Sequence, residues 1–209
     1  GNTLNGVGEV RQLGLYAMEV AFTHGIKMGN ELAKEIGKEQ ENQNVALSVH
    51  APYYINLSSS EEKKIAESKQ RILRSAELAH YMHASPVVFH PGFYGKRGRE
   101  ETYDMIRSAI DEMLKIIKQN KWDVEIAPET MGRVAQFGTF EEILDLVKAT
   151  KTSFCIDICH IYARNQGKVD YDYIFSELKK TKRNRIHFQF SGVEYGPKGE
   201  KRHLVLNGH

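Results

Sequence analysis

Six short apolar or β-branched runs, at residues 17–22, 45–49, 86–89, 124–127, 154–158 and 186–190, recur along this chain. Between them, residues 29–37, 61–81, 100–120, 140–149 and 171–180 interleave apolar and charged side chains at the spacing of amphipathic helices. Strand then helix, repeated, predicts an α/β fold with a parallel sheet. Thr139, ahead of Phe140, Glu141 and Glu142, has the chemistry of a helix N-cap with acidic residues in the first turn. Periodicity alone leaves open whether the units close into an eight-stranded barrel or spread into a doubly wound sheet. No GxGxxG or GxxxxGK[ST] follows any run, so the usual nucleotide cradles of open sheets are missing.

Composition narrows the function classes. With 209 residues, 41% hydrophobic and 27% charged, the chain fits one domain over residues 1–209 with a sizeable core. It contains no run of about 18 apolar residues and no basic segment followed by an apolar signal core, which argues against membrane and secretory readings. Cys155 and Cys159 are too close in sequence to close a useful loop and form no CxxC pair. A reducing, cytoplasmic compartment is the expectation. A formal net charge of +2 does not announce a nucleic-acid binder, so any polyanion site must come from local patches.

Chemistry gathers at the ends of the runs: His50 in LSVHAPYYINL, His90 in VVFHPGFY, Glu129 in IAPETMG, Asp157 and His160 in FCIDICH, and His187 in RIHFQFSG. Each is a histidine or carboxylate, and His50, His90, Glu129, Asp157 and His187 follow one another at intervals of 28 to 40 residues. That spacing is near one βα unit of about 30 or more residues. In a parallel barrel, equal phase on successive strands places them around one mouth, on the face where barrel active sites form. Imidazole and carboxylate without thiolate suits zinc ahead of manganese or iron. A carboxylate can bridge, so Glu129 is a candidate ligand for two ions about 3.5–4 Å apart, and its loss would disturb both. Taken singly, a histidine at a strand end more often makes a structural hydrogen bond. His160 or His203 alone would carry no metal reading, whereas the set in phase does. Cys155 shares a strand face with Asp157 and is read as a small buried hydrophobe. His24, His80, His83 and His209 are read as structural or surface residues.

In order, LSVHAPYYINLSS, VVFHPGFY, IAPETMG, FCIDICH and IHFQFSG resemble endonuclease IV, the zinc-dependent apurinic/apyrimidinic endonuclease family, and within it the archaeal branch. The resemblance runs from about Met18 to His203. It implies a (β/α)8 TIM barrel of the xylose isomerase-like type and a cluster of two or three zinc ions, with manganese as the substitute. By resemblance, His50 and His90 hold one ion, and Glu129 bridges to a second that Asp157 and His187 also bind. His160 and His203 hold the third. Lys27, Tyr53, Tyr54 and Asn56 match DNA-facing positions. The sequence departs from the family in reading Lys201-Arg202-His203 where Asp-Arg-His is usual, which removes a carboxylate from the third ion. Six runs rather than eight carry the expectation that the first and last barrel strands are missing from this chain.

Clustered zinc lowers the pKa of water to about 7. The reaction implied by resemblance is hydrolysis of the phosphate 5′ to an abasic deoxyribose in duplex DNA, as DNA repair requires, by a monomer with no membrane partner. Lys96, Arg97 and Arg99, which follow His90, are the candidate phosphate contacts. Lys179, Lys180, Lys182, Arg183 and Arg185 precede a strand and so belong to the opposite face. Two rival readings stand beside the nuclease: a metal-dependent sugar isomerase or epimerase on the same barrel, and a non-catalytic binder of damaged DNA.

Overall fold

A computed structural model of the protein describes residues 2–206, so His209 lies outside the described residues. Each predicted run forms a strand and each predicted helical stretch a helix. α1 (Thr3–Gln12), capped by the Asn2 side chain on the Asn5 amide, precedes β1 (Ala17–Ala21). α2 (Asn30–Gln43) leads to β2 (Ala46–His50), and α3 (Glu62–Tyr81) to β3 (Val87–Phe89). Beyond β3 the chain forms the short β4 (Gly92–Phe93) before α4 (Arg99–Gln119). Likewise β5 (Ile126–Pro128) is followed by β6 (Gln136–Phe137) before α5 (Phe140–Thr150). β7 (Cys155–Asp157) runs without a loop into α6 (Ile158–Arg164), and α7 (Tyr171–Lys180) precedes β8 (His187–Gln189). A hairpin of β9 (Gly192–Gly196) and β10 (Gly199–Leu204) follows.

β1, β2, β3 and β5 pair in parallel in that order, and β7 pairs in parallel with β8. A parallel bridge between Glu129 and Cys155 joins the two groups. Among the described residues, six parallel strands therefore form one arc of wall, with β1 and β8 at its edges. The ribbon of β4 and β6 and the hairpin of β9 and β10 project from the C-terminal ends of the strands.

Alternation along the strands divides the side chains between two layers. Val20, Leu47, Val49, Val87, Phe89, Ile126 and Ile156 pack with Ile36, Ile72, Ile106, Ile110 and Met113 of the helices. Facing the other way, Val88, Ala127 and Cys155 form a small, fully buried cluster inside the arc. Burial on both faces explains why these strands read as nearly continuous apolar runs. Thr139 caps α5 as expected: it accepts from the Glu142 amide while Glu142 accepts from the Thr139 amide, a reciprocal cap whose loss costs about 1 kcal/mol.

Besides the short ribbon of β4 and β6, α1, α6 and the final hairpin lie outside what the periodicity predicts. α1 carries Gly6 and Gly8 in its interior, which weakens its helical signal. α6 begins where β7 ends, with Asp157 as its N-cap, so that the apolar residues of both elements read as one strand. The hairpin has turn chemistry in Gly196-Pro197-Lys198-Gly199, but its flanking strands are too polar to stand out as apolar runs. Among the described residues no helix is long and apolar enough to cross a membrane.

Candidate metal centre at the strand ends

His50 ends β2, Asp157 ends β7, and His90 and Glu129 stand one residue beyond β3 and β5. Their side chains share the inward phase of Val88, Ala127 and Cys155, which form the floor beneath them. The mouth is a cavity of about 670 Å³.

Glu129 lies at its centre and is 1% exposed. Its Oε2 is 3.1 Å from Nε2 of His50 and 3.1 Å from Nε2 of His90, while its Oε1 is 3.0 Å from Nδ1 of His160. Burial pushes this carboxyl up, but the charge of His90, the hydrogen bond and charge of His160 and the hydrogen bond of His50 outweigh it and hold the pKa well below the usual carboxylate range. Burial disfavours the His160 imidazolium, yet its contact with Glu129, backed by Asp157 and Glu200, raises its pKa to about 9. His50 is raised for the same reason, burial being outweighed by Glu129. The carboxyl of Asp157 is pushed up by burial, with His160 opposing and Glu129 adding to the rise.

Two groups of ligand type result: His50 with His90 and Glu129, and Asp157 with His160 and His203. Three of the four rings in these groups are held from behind. His50 Nδ1 donates to Ala51 O at 2.7 Å, His160 Nδ1 to Thr130 O at 2.8 Å, and His203 Nδ1 to Ser191 Oγ at 2.6 Å. These bonds turn each Nε2 inward, the arrangement that orients imidazoles which ligate a metal once their Nε2 is deprotonated. In the second group Nε2 of His160 faces Nε2 of His203 at 3.1 Å. Without metal a proton on one of the two rings bridges them; with metal both nitrogens face the same ion. The donor set is imidazole nitrogen and carboxylate oxygen without thiolate, which fits zinc and also accepts manganese.

Sequence reasoning missed two carboxylates here. Glu200 reaches the second group, with Oε2 3.6 Å from His160 Nε2 and Oε1 3.9 Å from His203 Nε2. A β-bulge between Glu200 and Arg202 turns Lys201 outward onto Glu194, and the carboxylate expected at position 201 is supplied one residue earlier. Gly132 makes room: a Cβ there would stand 2.7 Å from Glu200 Cβ and 2.8 Å from His160 Cδ2. The other missed carboxylate is Glu19. It meets His187, which opens β8 rather than ending it and pairs in register with Cys155, one layer deeper than Asp157. His187 is therefore not part of the Asp157 group, contrary to the expectation by resemblance.

The expected DNA-facing residues disperse. Tyr53, 51% exposed, stacks flat on His90 with ring centroids 5.2 Å apart and lines the mouth. Tyr54 lies away from the cavity under the Arg71 guanidinium. Asn56 folds its carbonyl back onto Ser58, a loop-forming role. Lys27, Lys96 and Arg99 are exposed outside the cavity lining. Arg97 is engaged: it donates to Glu101 and to Ser58 O, tying the loop after β3 to the loop after β2. The cation that does line the mouth is Arg133, half-exposed and 3.8 Å from Glu200. Arg164 secures its loop by donating to the carbonyls of Met131, Arg133 and Gln136. The basic run before β8 is accounted for in part by Arg183, which pairs with Glu125 and donates to Lys151 O at the opposite end of the strands. Cys155, fully buried, is held neutral by burial and the surrounding carboxylates, in keeping with a packing role.

An uncharacterized protein of Methanocaldococcus jannaschii is 38% identical to this chain over 209 residues, spanning 96% of this chain and 76% of its own length. A protein of Mycoplasmopsis pulmonis named probable endonuclease 4 is 35% identical over 139 residues, 64% of this chain and 48% of that one, so the match spans about half of that relative. Among solved structures, endonuclease IV from Thermus thermophilus superposes with a TM-score of 0.68 at 21% identity, covering 86% of this chain and 66% of that one. D-psicose 3-epimerase from Clostridium cellulolyticum does so with a TM-score of 0.68 at 14% identity, covering 93% and 82%. At such identities the likeness speaks for the fold, which both structures share with this chain. Residues 7–208 match the family described as xylose isomerase-like TIM barrel, and the chain belongs to that family.

Proposed function

We propose that this protein is a DNA-repair endonuclease that hydrolyses the phosphodiester 5′ to abasic sites in duplex DNA, using two or three zinc ions. The observation that carries the reading is the position of Glu129, with one carboxylate oxygen on His50 and His90 and the other on His160. A shared carboxylate between two ligand groups is the arrangement that phosphoester displacement by paired ions uses. The name probable endonuclease 4 on relatives at about one-third identity supports it.

His50, His90 and Glu129 would hold one ion, and Asp157, His160 and His203, with Glu200 behind them, another. When bound, such ions activate water near neutral pH and neutralise charge on a phosphate under attack. The chain's own residues supply the rest. Ala51 O, Thr130 O and Ser191 Oγ fix the rings of His50, His160 and His203, which limits how far these ligands must turn to receive a cation. The apolar floor keeps the mouth dry from below, where charge interactions are stronger than in water. Tyr53 covers the exposed face of His90 and offers a surface on which a base or sugar can stack. Arg133 would meet a phosphate entering the mouth, and Lys96 and Arg99 would meet the duplex backbone further out.

Histidine content separates this reading from the sugar epimerase. His50, His90, His160, His187 and His203 all line the mouth, an imidazole-rich set that suits zinc. The test is incision of a duplex bearing one abasic site, with and without chelator, beside epimerisation of free ketoses. Chelator-sensitive incision 5′ to the site is expected. Ketose epimerisation without incision, or tight binding of the duplex without incision, would replace the proposal by one of its two rivals.

A further inference from the structure

Gln136 opens β6, one strand of the short ribbon that projects from the strand ends, and it lines the mouth. It is 6% exposed. Among the buried side-chain nitrogen and oxygen atoms of the described residues, Oε1 of Gln136 alone has no hydrogen-bond partner. An orphaned buried amide oxygen destabilises the fold that holds it, so its presence calls for a donor supplied from outside the chain.

The backbone fixes the direction of this side chain. Gln136 N donates to Arg133 O at 3.0 Å, and Gln136 O accepts from Arg164 Nη1 at 3.0 Å. Phe137, the next residue, is fully buried and packs on the rings of Tyr94 and Tyr103. Alternation along β6 sends Gln136 to the opposite side, towards the mouth. Across the ribbon Phe93 is its register partner, and Tyr94 N donates to Ala135 O at 3.1 Å. That pattern makes Phe93 and Gln136 a non-hydrogen-bonded pair, the kind whose side chains stand closest. Phe93 is 38% exposed and lines the same mouth. A sugar ring fits such a pair, with apolar C–H groups for the aromatic face and a hydroxyl at its rim for the amide.

We infer that Phe93 and Gln136 read the sugar of the abasic site: the Phe93 ring packs on the deoxyribose, and the Gln136 amide oxygen accepts from its C1′ hydroxyl. This rests on the endonuclease reading and deepens it, because the ligand groups act on the phosphate and do not report whether a base is missing. The orphan is an acceptor, so a phosphate oxygen, which has no proton to give, does not satisfy it. The C1′ hydroxyl does, and it exists only where the base has been lost; an intact nucleotide carries the base nitrogen there instead. A site that leaves its own buried group unpaired unless a hydroxyl arrives discriminates against ligands lacking that hydroxyl. The terminal torsion of a glutamine side chain is broad, so the amide can turn to the incoming sugar while the backbone stays in place.

The test compares kcat/KM for incision of two duplexes that differ only at the lesion: a natural abasic site and its tetrahydrofuran analogue, which lacks the C1′ hydroxyl. The unaltered, zinc-loaded protein should prefer the natural site by about 3- to 10-fold, the worth of one neutral hydrogen bond. Gln136→Met keeps the length of the side chain without its amide and should bring the two rates together. Phe93→Ala should slow both substrates and keep their ratio. Far-UV circular dichroism checks each fold, and should Gln136→Met fail to fold, the ratio for the unaltered protein decides alone. A ratio near one for the unaltered protein, as when water alone satisfies the amide, or an undiminished ratio in folded Gln136→Met, would overturn this inference while leaving the endonuclease standing. Incision of neither duplex would overturn both.

Discussion

The Glu200 carboxylate lies 3.6 Å from Nε2 of His160, although the residue that follows it, and that resemblance marks as the acidic position, is a lysine pointing away. A bulge of one residue in β10 accounts for the exchange, because it turns the preceding side chain inward and leaves Lys201 outside. The prediction is asymmetric. Glu200→Gln should weaken zinc binding by the Asp157, His160 and His203 group by about 10- to 100-fold, the range for loss of a partner close to ligating histidines. Lys201→Ala should change it by less than about 2-fold. Competition titration with a zinc chelator measures both, and equal effects would show that the bulge does not select the carboxylate.

Gly132 is the residue that permits this approach. A methyl group there would press on Glu200 Cβ and the His160 ring, and Gly199, at φ +86°, packs against the same backbone and has little freedom to retreat. Gly132→Ala should therefore cost about 1–3 kcal/mol of stability, the usual penalty for overpacking, and should also weaken the second group of ligands. Urea denaturation and zinc titration together check it. A variant of unchanged stability and affinity would mean that the hairpin adjusts freely.

Protonation of the metal-free protein follows from Glu129 and His160. Glu129 has a lowered pKa, so its contribution to stability is present above 4.5 and fades as pH falls below that value. His160 is raised from 6.5 to about 9, so its contribution is present below 6.5 and is lost as pH rises through about 9. The chelated protein should melt highest between pH 4.5 and 6.5 and progressively lower up to pH 9. Zinc binds deprotonated ligands, so its stabilisation should grow over the interval in which the proton's contribution fades. Melting curves with chelator and with saturating zinc across this range test the point. A chelated protein that melts higher at about pH 9 than at about pH 6 would contradict it.

Duplex binding should depend on Arg133 rather than Arg97. Arg97 is already engaged with Glu101 and Ser58 O, whereas Arg133 is half-exposed at the mouth. Removing one phosphate contact lowers the slope of log affinity against log salt by about 0.9. Arg133→Ala should show that change, and Arg97→Ala should leave the slope intact. The reverse pattern would move the interface to the loop after β3.

Much of the scaffold is legible in the sequence because parallel strands buried on both faces read as plain apolar runs, as with 45–49 and 86–89. The ligand phase is legible too, since His50, His90 and Glu129 each stand at the end of such a run. What stays hidden is tertiary. Glu19 reads as one charge inside an apolar strand, and nothing local says that it meets a histidine 168 residues away. Glu200 depends on a bulge, which has no signature in residue type. α6 is obscured by its fusion to β7, where Asp157 serves both as strand end and as helix cap. Arg97 reads as a phosphate contact because loop position suggests exposure, whereas two hydrogen bonds direct it into the protein.

An anomalous difference map at the zinc absorption edge, from crystals grown with zinc, tests the central claim most directly. One peak is predicted among Nε2 of His50, Nε2 of His90 and the Glu129 carboxylate, and another among Asp157, His160 and His203. A map from zinc-soaked crystals without a peak on either side of Glu129 would contradict the account.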